Sequence, residues 1–289
     1  MAAPERAHAR VGFVGLGNLG LPMARTLAAD GWRLAVHDVA AGREVPEGAE
    51  RVAAATELAD CQAVCLAVPD DAAVLGLLED PDGLLARLAP GSLVLVHSTV
   101  LPATARALAE RAEVAGVGLV DAPVSGGAER AASGELTVMV GGRTEVVADA
   151  RPLLETVGDE VRHVGPPGAG AAVKLANQLM MFAALAGAHE ALDLAAAHGV
   201  AAEEVLAVVA GSTGDSWVAR TWGFFDRVAH AYDAGATPVS ERPWSKDLWE
   251  VTAAARAAGV RLPLAGLLAQ TMADRVEEHA RTAEERGRR

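Results

Sequence analysis

A glycine motif near the N-terminus constrains the fold of this chain more than any other feature. Residues 10–15 read RVGFVG, a short apolar run typical of a β-strand, and they lead into GLGNLG and then into the helix-forming segment LPMARTLAADG. In such a strand–turn–helix, Gly15 allows the tight turn, Gly17 lets the backbone approach a pyrophosphate, and Gly20 lets the helix pack on the strand. The pattern therefore predicts a Rossmann-like unit that holds a dinucleotide at the positive end of a helix.

An acidic residue ends the second predicted strand. The run WRLAVHD stops at Asp38, about 20 residues beyond the glycine motif, where a carboxylate can hydrogen-bond a ribose 2′-hydroxyl. The same carboxylate would repel the 2′-phosphate of NADP. The expected cofactor is therefore NAD. The other residues of the glycine loop and of the following strand end that we expect to contact it are Asn18, Leu19, Val68 and Pro69.

Strands and helices alternate as far as residue 165. The apolar runs CQAVCLAVP, SLVLVHST, VGLVDAP, ELTVMVGG and VRHVG are separated by helical segments. Strict alternation of this kind predicts a doubly wound parallel sheet, and nearly all-apolar strands are buried on both faces of such a sheet. Ligands bind beyond the carboxyl ends of its strands. We therefore expect the polar residues found there to share one crevice: Asp38, Asp70, His97 to Thr99, and Asp121 with Ser125.

Beyond Gly168 the pattern predicts helices only. The segment from Gly168 to Gly199 contains no proline, is rich in Ala and Leu, and begins and ends at glycine, which predicts one long helix. Further helical segments follow it to the C-terminus. The expected fold class is α/β, with a Rossmann-like dinucleotide-binding domain at residues 1–166 and an all-helical domain for substrate binding and oligomerisation at residues 167–289.

Two clusters of polar residues are candidates for the active site. Lys174, Asn177 and Gln178 lie three and four positions apart on the long, otherwise apolar helix, so they share a face. A lysine is costly to bury without a purpose, and we interpret this face as the wall of an active site. The sequence Ser125-Gly126-Gly127 offers a hydroxyl and consecutive backbone N–H groups, which can hold an anion. It is the candidate clamp for a small-molecule carboxylate substrate.

Four motifs, in order, resemble those of the β-hydroxyacid dehydrogenases, the family that includes 3-hydroxyisobutyrate dehydrogenase. GLGNLGLPMA resembles the family's cofactor loop, with Leu19 where methionine is usual, and DAPVSGGAERAASGELTVMVGG resembles its substrate signature. GAGAAVKLANQ resembles the catalytic G-x-x-x-K-x-x-x-N/Q, with Gln178 at the last position, and KDLWEV resembles the family's Lys-Asp pair at Lys246. Arg130 and Glu135 depart from the commoner pattern, which shows glycine and threonine there, and this leaves the substrate open.

The resemblance implies an NAD-dependent oxidoreductase acting on a short 3-hydroxy acid or its semialdehyde. Lys174 would be the general acid/base, Asn177 and Gln178 would orient substrate or lysine, and Thr99 and Lys246 would contact the cofactor. To act as a base near neutrality, a lysine needs its ordinary pKa of about 10.4 lowered by burial or by a nearby cation. Lys246 is a candidate for that cation.

Other functions on the same scaffold are less consistent with these residues. Imine reductases often carry aspartate or tyrosine at the position of Lys174, and 6-phosphogluconate dehydrogenases follow their lysine with a His-Asn pair, where this chain has Ala176–Asn177. A non-catalytic dinucleotide sensor would need Gly15 and Asp38 but not the active-site lysine. The retention of both sets favours an enzyme.

Composition narrows the partners and the location. The formal net charge of −13 argues against nucleic acid and anionic membranes as partners. The two cysteines, Cys61 and Cys65, exclude a disulfide framework, and the histidines lack metal-ligand spacing, so we expect no metal. The first ten residues lack the apolar core of a signal peptide, no charge-free run reaches the length of a membrane span, and a cytoplasmic location is expected. The long helix carries more apolar surface than one domain contact can cover, which predicts a homodimer or homotetramer.

Overall fold

The computed structural model describes residues 9–79 and 83–287. The chain divides into two compact units, at residues 1–174 and 175–289, and each is described by itself. The division falls between Lys174 and Leu175, within the long helix and later than the double proline at 166–167, because the start of that helix is bound to the first unit. The signal-peptide expectation concerns residues that lie largely outside the described range. The last two residues of the chain, 288 and 289, also lie outside it.

The first unit is built on one nine-stranded sheet. Its strands are β1 (Arg10–Val14), β2 (Arg33–His37), β3 (Glu50–Arg51), β4 (Ala63–Leu66), β5 (Leu93–Val96), β6 (Gly118–Asp121), β7 (Val124–Ser125), β8 (Thr137–Gly141) and β9 (Glu160–Gly165). They are ordered β3-β2-β1-β4-β5-β6-β8-β7, and β9 pairs with β8. From β3 to β6 every neighbouring pair is parallel. The predicted Rossmann-like sheet is confirmed.

Helices cover both faces of this sheet. They are α1 (Gly20–Ala29), α2 (Asp71–Glu79), α3 (Pro102–Val114), α4 (Gly127–Ser133), α5 (Thr144–Val157) and the start of α6 (Ala169–Ala197). Along β4, Cys65 joins the apolar core on one face, whereas Val64 and Leu66 join the core on the other. This two-sided burial explains why the central strands are continuous apolar runs rather than alternating ones. Burial raises the pKa of the Cys61 thiol to about 11 and that of Cys65 to about 12, so both are packing residues.

The strict alternation ends after β6. Strand β8 runs antiparallel to β6, with Asp121 opposite Gly141, and the two-residue β7 also pairs antiparallel with β8. The chain reverses at Gly126 and Gly127, whose φ angles of 142° and 73° are readily adopted only by glycine. The sequence pattern did not predict this mixed edge or the short strand β3.

The second unit is helical. After the long helix α6 it contains α7 (Ala202–Val209), α8 (Trp217–Arg220), α9 (Phe224–Ala234), α10 (Pro243–Ala258) and α11 (Pro263–Gly287). Helices α8 and α9 are separated at Gly223, which has a φ of 84°, a conformation that favours glycine. The core between these helices is formed by large buried side chains that include Phe182, Trp244, Leu248 and Met272.

A buried ion network fixes the start of α10. The Arg242 guanidinium donates to both carboxylate oxygens of Glu277 at 2.9 Å and to Asp233 at 2.6 Å. Trp244 Nε1 donates to the same Glu277 carboxylate at 2.9 Å. A buried charge of this kind is tolerated only when it is paired and hydrogen-bonded. The network therefore holds α10 against α9 and α11.

Helix α6 is unusually apolar and exposed. Among the described residues it is the one helix whose length and composition would allow it to cross a membrane, and 22% of its most apolar stretch is buried. Met180 is 74% exposed and Leu194 is 65% exposed. The core helix of a soluble protein can pass the same test. Length and apolar composition alone are therefore weak evidence for a membrane span.

Candidate active site

The glycine loop between β1 and α1 has the shape that a dinucleotide requires. Gly15 has a φ of 94° and its backbone N–H donates to the His37 carbonyl at 2.9 Å. A Cβ on Gly15 would collide with the Ala67 backbone, and one on Gly20 would collide with the Gly15 carbonyl. A Cβ on Gly17, by contrast, would meet nothing within 4 Å. Two glycines therefore serve close packing, and the middle one leaves open space where a pyrophosphate can approach the backbone.

Asp38 is fixed next to this loop at the end of β2. Its Oδ2 accepts a hydrogen bond from the Leu16 N–H at 2.6 Å, and its Oδ1 accepts one from the Ala40 N–H at 2.8 Å. Each carboxylate oxygen keeps a further lone pair. The carboxylate is therefore held in one orientation beside the glycine loop, with acceptor capacity left for ribose hydroxyls. Asn18 is exposed and Leu19 is half-buried against the sheet core.

Ser98, one of the polar residues expected in the crevice, links the ends of β4 and β5. Ser98 is buried, and its Oγ accepts a hydrogen bond from the Val68 N–H at 2.9 Å. Val68 and Thr99 are half-buried, and Pro69 is exposed. Ser98 thus fixes the segment that carries Val68 and Pro69. The sequence places both residues of this Ser-Thr pair in the crevice, but it assigns a cofactor contact only to Thr99.

His97 is a packing residue. It is buried, and Nδ1 lies 2.9 Å from the Ala122 carbonyl, to which it must donate because a carbonyl only accepts. Burial lowers the pKa of His97 to about 4, with the hydrogen bond opposing the shift. The ring is therefore neutral at neutral pH, and it packs at the end of β5.

The buried neutral His97 predicts a loss of stability in acid. The pKa of His97 in the folded protein lies below the unfolded value of 6.5. Its contribution to the free energy of unfolding is therefore fully present above pH 6.5 and is lost as the pH falls toward 4. Between neutral pH and about pH 5 we expect the free energy of unfolding to fall by about 2 kcal/mol more in the wild type than in His97→Asn. Urea titrations at both pH values measure the difference. Equal falls in the two proteins would contradict the prediction.

The candidate carboxylate clamp lies at the chain reversal after β7. Ser125, Gly126 and Gly127 are all half-exposed. A Cβ on Gly126 would approach the Arg130 Cβ to 2.9 Å, so the loop has no room for a side chain there. The Arg130 guanidinium donates to Asp159 at 3.2 Å. The two departures from the family pattern, Arg130 and Glu135, thus have polar partners of their own, since Glu135 accepts from the Ser133 hydroxyl at 2.9 Å.

Lys174 lies against this clamp. Its side chain is buried, with 9% of the residue exposed, and Nζ donates to the Val124 carbonyl at 2.9 Å. Val124 directly precedes Ser125 in β7. The structure therefore brings the candidate acid/base and the candidate carboxylate clamp together within the first unit, although 50 residues separate Lys174 from Val124 in sequence.

Asp121 does not line the crevice in which the sequence placed it. The sequence put it in the crevice with Ser125, but it is fully buried and binds the start of α6. Its Oδ1 accepts from the Gly168 N–H at 2.8 Å and its Oδ2 from the Ala171 N–H at 2.8 Å. Burial raises the pKa of Asp121, and these backbone N–H groups oppose the shift. The crevice expectation is wrong for Asp121 because the α6 N-terminus offers unpaired donors at the same strand end.

In the helical unit the remaining candidates form one network. Gln178 Nε2 donates to Asp247 Oδ2 at 2.5 Å, and Asn177 Nδ2 donates to Gln178 Oε1 at 3.3 Å. Lys246 Nζ lies 3.0 Å from Asp247 and 2.8 Å from Glu250. Asp247 therefore contacts both Gln178 and Lys246, and Glu250 contacts Lys246.

The charge of Lys246 is compensated inside its own unit. Burial alone would lower the pKa of Lys246, but the carboxylates of Asp247 and Glu250 outweigh it and hold the pKa above its ordinary value. Lys246 is therefore a cation paired with two carboxylates, and its effect on the pKa of Lys174 stays a prediction. The sequence showed the adjacent Asp247 in KDLWEV, and Glu250 lies one helical turn beyond Lys246.

Comparison with known proteins agrees with this geometry. A family model described as the NAD binding domain of 6-phosphogluconate dehydrogenase matches residues 10–165. A second, described as NAD-binding of NADP-dependent 3-hydroxyisobutyrate dehydrogenase, matches residues 168–286. The predicted cofactor class, a nicotinamide dinucleotide, is confirmed.

Relatives match over nearly the whole chain. The NAD-dependent L-serine dehydrogenase of Pseudomonas aeruginosa is 36% identical over 266 residues, which cover 89% of each protein. The crystal structure of 3-hydroxyisobutyrate dehydrogenase from Salmonella typhimurium superposes with a TM-score of 0.76 at 34% identity, covering 90% of this chain and 92% of that one. An imine reductase of Streptomyces aurantiacus has a TM-score of 0.64 at 23% identity, covering 94% of this chain and 95% of that one, and shows a shared fold alone. The chain belongs to the β-hydroxyacid dehydrogenase family, and it is a nicotinamide-dependent oxidoreductase related to 3-hydroxyisobutyrate dehydrogenase.

Proposed function

We propose that this enzyme interconverts a short 3-hydroxy acid and its semialdehyde with NAD, and that Lys174 is the general acid/base. The observation that carries the proposal is the hydrogen bond of 2.9 Å from Lys174 Nζ to the Val124 carbonyl. The buried amine thus lies beside Val124, the residue that directly precedes the Ser125–Gly127 loop. A substrate whose carboxylate bound that loop would present its hydroxyl a few bonds away. This suits a short 3-hydroxy acid, in which carbon 2 bears the carboxylate and carbon 3 bears the hydroxyl.

The residues of the chain have separate tasks in this reaction. Ser125 Oγ and the N–H groups of Gly126 and Gly127 bind the substrate carboxylate. In oxidation, neutral Lys174 Nζ accepts the hydroxyl proton as the carbinol carbon gives up its hydride, and the C–O single bond becomes a carbonyl. In reduction, protonated Lys174 returns that proton to the oxygen. The bound nicotinamide supplies the hydride acceptor or donor.

The cofactor would be held by the first unit. The backbone around Gly17 offers space for the pyrophosphate, and Asp38 accepts from the adenosine ribose. Asn18, Leu19, Val68, Pro69 and Thr99 complete the candidate contacts there. We assign Lys246 to the cofactor as well, and Asn177 and Gln178 to substrate orientation, on the family resemblance.

A substrate panel tests the proposal. Purified enzyme is assayed by NADH absorbance with 3-hydroxyisobutyrate, L-serine, other small 3-hydroxy acids and the corresponding semialdehydes, and with cyclic imines in the reductive direction. Small 2-hydroxy acids, whose hydroxyl lies one carbon closer to the carboxylate, are assayed beside them. We expect turnover with at least one 3-hydroxy acid and none with the 2-hydroxy acids. Activity confined to imines, or to 2-hydroxy acids, would overturn it.

We propose that the second copy of this chain covers the exposed apolar side of α6, giving a homodimer or homotetramer. Met180 and Leu194 lie on that side, and Val208 and Leu267 are also largely exposed. Light scattering at micromolar concentration is expected to give a dimer or tetramer, and Met180→Glu with Leu194→Glu is expected to shift it toward the monomer, because buried carboxylates would be unpaired. A monomeric wild type would reject this prediction.

We also propose a cytoplasmic enzyme without a membrane or nucleic-acid partner. The net charge of −13 and the two buried free cysteines support this. Recovery of the protein in the membrane fraction, as a spanning role for α6 would require, would contradict it.

A further inference from the structure

Asp121 connects the end of β6 to the beginning of the helix that carries Lys174. It is completely buried, and its carboxylate oxygens accept the backbone N–H of Gly168, which directly precedes α6, and that of Ala171 in its first turn, each at 2.8 Å. We propose that Asp121 is a positioning residue for Lys174, which sets where the amine lies relative to the substrate clamp. This inference rests on the proposed role of Lys174.

The packing around Asp121 shows that the helix start has a single allowed place. A Cβ on Gly170 would collide with the Met139 and Asp121 carbonyls, and a Cβ on Gly141 would lie 2.5 Å from Asp121 Oδ1. The backbone at Gly170 therefore packs directly on the backbone at Met139, Asp121 and Gly141, and the Asp121 carboxylate lies in the same contact. A change in the carboxylate can be accommodated only by moving the helix.

The same short segment holds both the helix backbone and the lysine side chain. Asp121 accepts the N–H groups of residues 168 and 171. Val124, three residues after Asp121, accepts a hydrogen bond from Lys174 Nζ at 2.9 Å through its carbonyl. Ser125 follows immediately. The distance from the amine to the clamp therefore depends on where Asp121 places the first turn of α6. Since a misplacement of about 1 Å can reduce turnover about 10²-fold, this connection is expected to affect catalysis without contacting the substrate.

The variant Asp121→Asn changes this connection with little change in shape. An amide has one acceptor oxygen, so its NH₂ group would face one of the two backbone N–H donors. We expect kcat to fall about 10- to 50-fold, with the KM values for substrate and NAD changed less than about threefold. Gly170→Ala leaves Asp121 intact but displaces the same turn, and it should lower kcat in the same way.

Two further proteins separate positioning from stability. Thr156→Val is the matched stability control, because Thr156 Oγ1 is buried, donates to Asp30 at 2.8 Å and accepts from Trp32 Nε1 at 3.1 Å, away from the clamp. It should lower the melting temperature comparably to Asp121→Asn while kcat stays unchanged. In a Lys174→Ala background, Asp121→Asn should cause no further loss of the residual turnover, since residues that act through one another are non-additive.

The outcomes are distinct. If Asp121→Asn lowers the residual turnover of Lys174→Ala by the same factor as that of the wild type, Asp121 does not act through Lys174 and the proposal is wrong. It is equally wrong if Asp121→Asn keeps wild-type kcat, or if both Asp121→Asn and Gly170→Ala fail to fold or to bind NAD, since the role is then structural. If the wild type converts no 3-hydroxy acid, or Lys174→Ala keeps full activity, the proposed function fails first.

Discussion

Lys174→Ala is expected to lower kcat by roughly 10²–10⁴-fold, because the hydroxyl proton then has no acceptor held in place at the substrate. The affinity for NAD should stay nearly unchanged, since the residues proposed to bind the dinucleotide, the glycine loop and Asp38, lie on other elements. Stopped-flow measurement of kcat and fluorescence titration with NADH separate the two quantities. Retention of most of the turnover would reject Lys174 as the acid/base.

Lys174→Arg is the matched control for charge. Arginine can still donate to the Val124 carbonyl and keeps the positive charge, but with a pKa above about 12 it cannot act as a base near neutrality. We therefore expect Lys174→Arg to be nearly as impaired as Lys174→Ala. A variant with near wild-type turnover would mean that the lysine contributes charge rather than proton transfer.

The second large effect concerns the choice between NAD and NADP. We expect kcat/KM to favour NAD by on the order of 10²-fold, for which about 2.7 kcal/mol suffices. The Asp38 carboxylate is fixed by the Leu16 and Ala40 N–H groups, so it cannot rotate away from a 2′-phosphate, and the two anions would repel each other. Val39 beside it is fully exposed and offers no compensating charge.

Replacing Asp38–Val39 with Asn-Arg should reverse or abolish this preference, because the arginine can bind the phosphate. Steady-state kinetics with both cofactors measure the ratio. Arg43→Ala is the control for the nearest cation along the chain, and it should leave the ratio unchanged because Arg43 lies on the exposed surface. Wild-type enzyme that uses NADP better than NAD would show that Asp38 does not contact the ribose.

Local patterns predicted the parts of the site that depend on local conformation. Gly15, Gly126 and Gly127 occupy backbone conformations that favour glycine, so their spacing is visible in the sequence. The isolated Lys174 on an apolar helix was equally visible, since a buried lysine needs a reason. The two-sided burial of the central strands followed from their unbroken apolar runs.

Contacts between distant segments were not predictable in the same way. The sequence places the Asp121 carboxylate in the crevice because β6 ends there. Nothing in the local sequence shows that both of its oxygens accept backbone N–H groups at the start of α6. The pairing of the Lys246 charge depends on the orientation of the Asp247 and Glu250 side chains on α10. The antiparallel course of β8 depends on a reversal at Gly126 whose direction the glycines alone do not specify.

The placement of two residue types gives each unit its own optical or chemical label. Both cysteines, Cys61 and Cys65, are buried in the first unit, where burial raises their thiol pKa values and keeps them unreactive. Four of the five tryptophans lie in the second unit, at positions 217, 222, 244 and 249. Thiol labelling kinetics therefore follow the opening of the cofactor-binding unit, and tryptophan emission mainly follows the helical one. Without any engineering, the enzyme permits the unfolding of its two halves to be timed separately in one sample.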